Sequence, residues 1–172
     1  MKLNTDRIDE AVLCREFVRQ ARSFFESYPQ IKHTLSVDDD EDHCILDIPE
    51  ETPDGFPVTV EVEPEQITVY ALGAHTSEGP EGNPVDFVAR TLGFVQDLLG
   101  PNMRVREVCA GGKPHKWGIE ILQNGQWQTE EWTGLIFWNY FGKKSERIYM
   151  NRILPARENP VETSDLHRED RR

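Results

Sequence analysis

The sequence WGIEILQNGQW, residues 117–127, lies in the part of the chain that holds all four tryptophans, residues 103–154. Apolar residues alternate with polar or small ones in its first half, which is typical of a half-buried strand. Asn124-Gly125 follows, and this dipeptide is a strong signal for a hairpin turn. The segment therefore predicts two antiparallel strands joined by a tight turn.

Two registers are compatible with this hairpin. A two-residue turn would pair Ile121 with Gln128 and place polar groups opposite an apolar row. A three-residue loop over residues 123–125, with Gly125 in a left-handed bulge, would pair Ile121 with Trp127 instead. Since a shift of one residue turns every side chain to the other face, only the second register gives a single apolar face. We therefore expect the bulged loop.

The residues on either side extend this hairpin into a sheet. Residues 103–108 alternate between apolar and charged side chains, which predicts another strand. Residues 135–141 are apolar on both faces, so they predict a central strand. Residues 147–154 return with partial alternation, and Pro155 ends them. Together these strands predict an antiparallel meander with an aromatic core.

The first hundred residues predict a helix followed by four strands and a second helix. Asn4 or Thr5 can cap the first helix, which should end at Tyr28 because Pro29 disfavours continuation. The predicted strands cover residues 31–37, 43–48, 58–62 and 66–72.

The second helix has clear boundary signals. Asn83 can cap it, Pro84 suits the first helical position, and Gly100 with Pro101 ends it. The loop from His75 to Asn83 precedes this helix. It is the longest irregular connection that the sequence predicts within the domain, so it is a candidate binding loop.

The predicted fold class is α+β, with antiparallel meander sheets and two helices in the order α-β4-α-β4. A chain of 172 residues suits one domain, and we expect residues 1–155 to form it. Residues 156–172 are polar and lack periodicity, which predicts a disordered tail.

The formal net charge is −12, and it is unevenly distributed. Residues 1–100 contain 7 lysines and arginines against 21 aspartates and glutamates, a balance of −14, whereas residues 101–172 have a balance of +2. Phosphate backbones repel an acidic protein, so we do not expect nucleic acid as a partner. Acidity favours solubility, and it also suits a surface that binds a basic partner protein.

The three cysteines, Cys14, Cys44 and Cys109, are far apart and form no C-x-x-C motif. An odd, scattered set favours buried thiols in a reducing compartment over a disulfide framework. The first residues become polar at once, without a secretory apolar segment, and no apolar run approaches the roughly 20 residues of a membrane span. We therefore expect a cytoplasmic protein that does not bind a membrane.

Catalytic and cofactor motifs are absent from the sequence. It contains no G-x-S-x-G, H-E-x-x-H or Walker A motif, and no pair of histidines has metal-ligand spacing. His43 and Cys44 are adjacent on a strand and point to opposite faces, so they cannot share a metal without distortion. The sequence therefore assigns no catalytic residue, no cofactor and no metal site.

The densest run of charge in the chain is Asp38, Asp39, Asp40, Glu41 and Asp42. As a calcium loop it fails, because His43 occupies the position of the required glycine and Pro49 that of the required glutamate. One interpretation is a solvated hairpin turn. The other is an acidic face that binds a partner.

A second cluster is basic. Its members are Arg104, Lys113, His115, Lys116 and Trp117, with Arg106, Lys143, Lys144 and Arg147 predicted nearby. These residues can hold an anion or an acidic partner surface, or they can be charged sheet edges that prevent edge pairing. A ligand pocket between the aromatic sheet and the loop 75–83 would use His75, His115 and Trp117, with Arg104 orienting an anion.

The main functional hypothesis is a non-enzymatic protein-binding module that masks or carries a basic partner protein. The rival hypotheses are a small enzyme or ligand-binding domain, and a purely structural subunit. The order of elements is similar to that of small acidic α+β proteins such as bacterial toxin-immunity proteins and secretion chaperones. This likeness is one of architecture, and architecture does not determine function.

Overall fold

Two helices and two antiparallel sheets make up the part of the chain that the computed structural model describes, residues 11–80, 82–134 and 142–157. The helices are α1 (Val12–Ser27) and α2 (Pro84–Leu98). The first sheet contains β1 (Thr34–Val37), β2 (Cys44–Ile48), β3 (Val58–Glu63), β4 (Gln66–Ala71) and β5 (Ala74–Glu78). The second sheet contains β6 (Met103–Ala110), β7 (Lys113–Gln123), β8 (Gln126–Thr133) and β9 (Lys144–Tyr149). The predicted α+β class with antiparallel sheets is confirmed.

The end of α1 and the start of α2 agree with the sequence signals, whereas α1 begins at Val12, later than predicted, and Ala11 provides no side-chain cap. α1 ends at Ser27, within one residue of the prediction. α2 follows Asn83, whose Oδ1 accepts a hydrogen bond from the Val85 N–H at 3.0 Å. The predicted cap of α1 at Asn4 or Thr5 lies outside the described residues. Neither described helix is long and apolar enough to cross a membrane.

The first sheet has the strand order β1-β2-β3-β4-β5, and each neighbouring pair is antiparallel. Its fifth strand is one more than the sequence predicts, and it replaces the first half of the predicted loop from His75 to Asn83. Leu72 and Gly73 form the two-residue turn before β5, with Leu72 at φ 58°. Leucine rarely adopts this left-handed conformation, so the turn lacks a recognisable sequence signal.

The hairpin between β7 and β8 has the two-residue turn, so the prediction of a bulged loop is wrong. Ile121 pairs with Gln128, and the turn residues Asn124 and Gly125 have φ values of 51° and 76°. Two consecutive left-handed residues give a turn whose twist matches that of the strands, and Asn-Gly favours this form. The irregularity lies further along β8, where Glu130 is the extra residue.

The second sheet has the strand order β8-β7-β6-β9, so β9 returns to pair with β6. This differs from the predicted meander, in which each strand pairs with the next along the chain. The predicted central strand over residues 135–141 lies outside the described residues. β9 ends at Tyr149, earlier than predicted, because the N–H groups of Ile153 and Leu154 donate to the Leu99 carbonyl instead of to a strand.

One hydrophobic cluster joins both helices to the inner faces of both sheets. Its phenylalanines with the least exposure are Phe17, Phe56, Phe87 and Phe94. The second sheet contributes Met103, Val105, Ile119 and Ile121. Full burial of one such side chain contributes roughly 1.5–3 kcal/mol, so the shared core holds the two sheets together.

Asn151 links three separate parts of the chain, and it is only 1% exposed. Its Oδ1 accepts a hydrogen bond from the Phe56 N–H at 3.1 Å. Its Nδ2 donates to the carbonyls of Phe56 at 3.1 Å and Leu98 at 3.2 Å. This side chain therefore satisfies buried backbone groups at the point where β9 has ended.

The predicted C-terminal tail is described only at its first two residues. Arg157 donates to the Gly93 carbonyl at 2.8 Å and forms an ion pair with Asp97 at 3.2 Å. Asp97 is 2% exposed, and a buried carboxylate needs such a partner. The chain therefore remains in contact with α2 as far as residue 157.

Candidate functional site

The acidic run forms the turn between β1 and β2, as the sequence predicts. The Asp38 N–H donates to the His43 carbonyl at 3.0 Å, and Asp38 Oδ1 accepts from the His43 N–H at 3.3 Å. Glu41 adopts a left-handed conformation with φ 59°. Because Asp39, Asp40 and Glu41 are exposed, the turn presents carboxylates to solvent at one end of the first sheet.

The outer face of the first sheet continues this negative charge. It carries Asp47, Glu61 and Glu63. The Thr59 hydroxyl donates to Asp47 at 2.7 Å, and the Tyr70 hydroxyl donates to Glu61 at 3.2 Å. These hydrogen bonds help to fix the positions of the two carboxylates.

No lysine or arginine occurs in the sequence between Lys32 and Arg90. All five strands of the first sheet and all their connecting turns fall within this interval. The carboxylates on this sheet are therefore not neutralised by lysine or arginine from the same sheet. We call residues Asp38, Asp39, Asp40, Glu41, Asp42, Asp47, Glu61 and Glu63 the acidic surface.

His43 and Cys44 point to opposite faces of β2, as predicted. His43 Nε2 lies 3.2 Å from Glu61 on the outer face, whereas Cys44 lies in the core beside Cys14 of α1. Burial raises the pKa of the Cys44 thiol, and its hydrogen bond with Cys14 raises it further. Such a thiol is a poor nucleophile, so this pair belongs to the core and not to a reactive site.

The outer face of the second sheet carries a different cluster, centred on a buried carboxylate. Glu120 on β7 is 0% exposed. Its carboxylate pairs with Arg104 Nε at 2.6 Å and with Arg106, and it accepts a hydrogen bond from the Thr129 hydroxyl at 3.1 Å. A carboxylate removed from water needs partners of this kind. In return, Glu120 holds both guanidinium groups in place on β6.

Two tryptophans of β8 lie against these cations. The Arg104 guanidinium is 4.1 Å from the centre of the Trp127 ring. The Lys116 ammonium is 3.8 Å from the Trp132 ring centre, and the Arg106 guanidinium is 6.0 Å from it. The negative face of an indole attracts cations at these distances. We call Arg104, Arg106, Lys116, Glu120, Trp127 and Trp132 the cation–aromatic surface.

The two-residue turn and a glycine make this arrangement possible. The turn pairs Leu122 with Trp127, which places Trp127 on the same face as Glu120. Gly118 pairs with Trp132, and a Cβ at this glycine would lie 3.0 Å from the indole. The missing side chain therefore leaves room for the Trp132 ring to lie over β7.

Glu107 is a second buried carboxylate, and it lies on the opposite face of β6. Its hydrogen-bond donors are the Trp117 indole at 3.1 Å, the Tyr149 hydroxyl at 3.3 Å, and Arg147 and the Cys109 thiol, each at 3.5 Å. Burial raises the pKa of Cys109, and the bond to Glu107 adds to this rise. The Trp117 ring also packs on Gly73, so this satisfied cluster joins the second sheet to the β4–β5 turn.

The structure divides the predicted basic cluster between two faces. Arg104, Arg106 and Lys116 share the outer face, whereas Trp117 and Arg147 point inward toward Glu107. The other predicted members are Lys113, Lys143 and Lys144, which are exposed, and His115, which is buried.

His75 lies apart from the groups that were predicted to form a ligand pocket with it. It is exposed on the outer face of β5, and its backbone N–H and carbonyl bond the Thr133 hydroxyl at 3.2 and 3.3 Å. Trp117 is on the inner face of the other sheet and His115 is buried, so the three side chains share no common face.

Sequence reasoning missed Glu120, Trp127 and Trp132. The bulged loop would place Trp127 opposite Ile121, on the inner face, and would hide its relation to Glu120. The signal that could have found this cluster is Asn124-Gly125 read as a turn of two residues, its usual length.

Within the three described ranges, no group of three or more His, Cys, Asp or Glu side chains is arranged to hold a metal ion. No family model, curated protein or solved structure matches this chain. The acidic surface and the cation–aromatic surface are therefore the features from which a function can be proposed.

Proposed function

We propose that this chain is a cytoplasmic, non-enzymatic protein-binding module that binds a basic partner protein through the acidic surface and so masks or carries it. The observation that supports this function most directly is the concentration of carboxylates on the first sheet and its turns. Its strands and turns carry carboxylates and contain no lysine or arginine. Such a face attracts a basic protein from a distance and disfavours acidic competitors.

The strand residues of the acidic surface are also suited to binding because hydrogen bonds position two of their carboxylates. Asp47, Glu61 and Glu63 project from the strands, and Asp47 and Glu61 accept hydrogen bonds from Thr59 and Tyr70. Groups that are already positioned lose less conformational entropy when a partner binds. Tyr70 is exposed beside them and supplies the aromatic contact area that protein interfaces favour.

The cysteines support the proposed compartment. Cys14, Cys44 and Cys109 are all free and all buried. Free thiols without a disulfide framework fit a reducing environment. This chain can therefore fold in a reducing compartment without forming a disulfide, as the proposed role requires.

The test compares partner capture by the unmodified chain and by a variant that combines Asp38→Asn, Asp39→Asn, Asp40→Asn, Glu41→Gln and Asp42→Asn. These changes keep the size of each side chain and remove its charge. We expect the unmodified chain to capture a basic protein from the native cell extract. The affinity of the purified pair should fall about tenfold or more in the variant, and it should fall with added salt because ions screen exposed charges beyond roughly 8 Å.

The matched control combines Glu50→Gln, Glu51→Gln and Asp54→Asn. These residues lie in the loop after β2, at the opposite end of that strand from the acidic turn. The control should bind nearly as well as the unmodified chain. The variant removes five charges and the control removes three, so an equal loss of binding free energy per charge in both would mean that binding follows net charge and not the acidic surface. A neutral or acidic partner whose affinity is independent of salt would also contradict the proposal.

A further inference from the structure

The outer face of the second sheet has a chemistry opposite to that of the acidic surface. We infer that the cation–aromatic surface is a second binding site, and that it takes an acidic, carboxylate-bearing segment of a partner protein. This site goes beyond the proposed function, because it lies on the other sheet and selects for the opposite charge.

The local charge of this surface is positive within a protein of net charge −12. Arg104, Arg106 and Lys116 contribute three cations. The buried carboxylate of Glu120 pairs with both arginines. A further carboxylate, that of Glu146, is at the rim, 3.9 Å from Arg106 and largely exposed. An incoming carboxylate therefore meets cations whose charge Glu120 only partly balances.

The guanidinium groups are positioned before any ligand arrives. Glu120 bonds Nε of Arg104 and one terminal nitrogen of Arg106, and each guanidinium has further N–H donors in its planar fork. The side chains of Arg104 and Arg106 remain 18% and 27% exposed. Arginine binds carboxylates through such donors with short, directional hydrogen bonds.

Apolar side chains continue the surface on both sides of Arg106. Trp132, Gly118, Arg106 and Ile148 occupy one row across four neighbouring strands. Trp132 is 40% exposed and Ile148 is 41% exposed. The Trp132 ring lies over Gly118, so the indole and the Arg106 guanidinium are neighbours in this row. Tryptophan and arginine are the residues that most often dominate binding energy at protein interfaces, which favours a peptide segment as the ligand.

An acidic peptide fits this surface better than nucleic acid does. Duplex DNA carries one negative charge per roughly 1.7 Å of its axis, and the negative charge of the whole chain opposes its approach. A peptide segment can place a few carboxylates at the arginines while apolar side chains contact Trp132 and Ile148. The exposed apolar groups of the surface then also find partners.

The test uses a synthetic peptide, Glu-Glu-Leu-Glu-Glu-Leu, and the same peptide with glutamine at each glutamate. Binding is measured at low salt by tryptophan fluorescence and calorimetry. We expect saturable binding of the acidic peptide only. Trp132→Ala should weaken it about tenfold or more, as expected for an interface anchor. Lys116→Gln should weaken it about threefold, since it removes one partly exposed charge. Both variants keep the Arg104–Glu120–Arg106 ion pairs, so the sheet should remain folded.

Two further variants distinguish binding at this surface from binding elsewhere on the chain. Arg22→Gln, on the exposed face of α1, removes the same charge elsewhere and should leave peptide affinity unchanged. The five-residue acidic-turn variant should bind the peptide at least as well as the unmodified chain, so failure of one proposal is distinguishable from failure of the other.

Four results would overturn the inference. The first is the absence of saturable binding at peptide concentrations up to about 1 mM. The second is equal binding of the glutamine peptide or unchanged affinity in Trp132→Ala. The third is tighter binding of a single-stranded oligonucleotide than of the peptide. The fourth is a dimer of the unmodified chain that Trp132→Ala converts to monomer, because the occupant would then be a second copy.

Discussion

Asn151→Ala should destabilise the protein by about 3–5 kcal/mol. The substitution removes three hydrogen bonds, which involve the N–H and carbonyl of Phe56 and the carbonyl of Leu98. A buried backbone group that loses its partner costs roughly 1–3 kcal/mol. The three costs do not add fully, because the smaller side chain leaves space that a water molecule can occupy between these polar groups.

Asn151→Asp has nearly the same shape and tests the direction of these bonds. One carboxylate oxygen can still accept from the Phe56 N–H, but the other oxygen faces the carbonyls of Phe56 and Leu98. Only a protonated carboxyl group can donate to a carbonyl, so the folded variant holds its proton more tightly than the unfolded chain does. Its stability should therefore be greatest at low pH and should fall as the pH rises, unlike that of the unmodified protein.

Urea unfolding followed by tryptophan fluorescence measures both variants at pH 4.5 and pH 7. Arg152→Ala is the control, since Arg152 is exposed beside the same segment and should lose less than about 0.5 kcal/mol. A loss below about 1 kcal/mol for Asn151→Ala would refute the reasoning, because Phe56 and Leu98 must then find other partners. A variant Asn151→Asp that becomes more stable with rising pH would refute the proposed bond directions.

Two further substitutions test the packing at Gly73 and the cap of α2, and thiol labelling tests the burial of the cysteines. Gly73→Ala should lower the free energy of unfolding in urea by roughly 1–3 kcal/mol, because the added Cβ would lie 2.3 Å from the Trp117 indole, which donates a hydrogen bond to Glu107. The control Gly79→Ala should destabilise the protein much less, because the nearest atom to its Cβ would be 3.5 Å away. Asn83→Ala should cost about 1 kcal/mol through loss of the cap on α2, and a change within error would show that the Val85 N–H is satisfied by water. Burial raises the pKa of Cys14, Cys44 and Cys109, so all three thiols should resist a thiol reagent in the folded protein and react with it in urea. Rapid labelling of any of them in the folded protein would contradict their burial.

Local patterns in the sequence account for much of the fold. Alternation around Val60 predicts β3, and its partner β4 follows Pro64-Glu65 as a tight turn requires. The cap at Asn83 and the stop at Gly100 predict α2. Each of these signals involves residues close in sequence, so each can be recognised without knowledge of the partner strands.

The features that escaped prediction depend on longer range or on an unusual conformation. β5 follows a turn in which Leu72 is left-handed, and the sequence does not reveal why leucine is accepted there. The pairing of β9 with β6 joins residues about forty positions apart, which no local pattern specifies. Glu120 was hidden because the register of one hairpin decides which side chains share its face.

The position of Asn151 near the end of the described chain has a consequence for synthesis on the ribosome. Phe56 and Leu98 are translated long before the residue that bonds them, and β6 is translated long before β9. A nascent chain that stops short of residue 144 lacks β9 and Asn151, so neither the second sheet nor these bonds can be complete. During that interval β6 has a free edge, which is the kind of surface that other nascent chains can pair with. The interval between the synthesis of β6 and that of β9 is therefore when this chain most needs shielding from its neighbours.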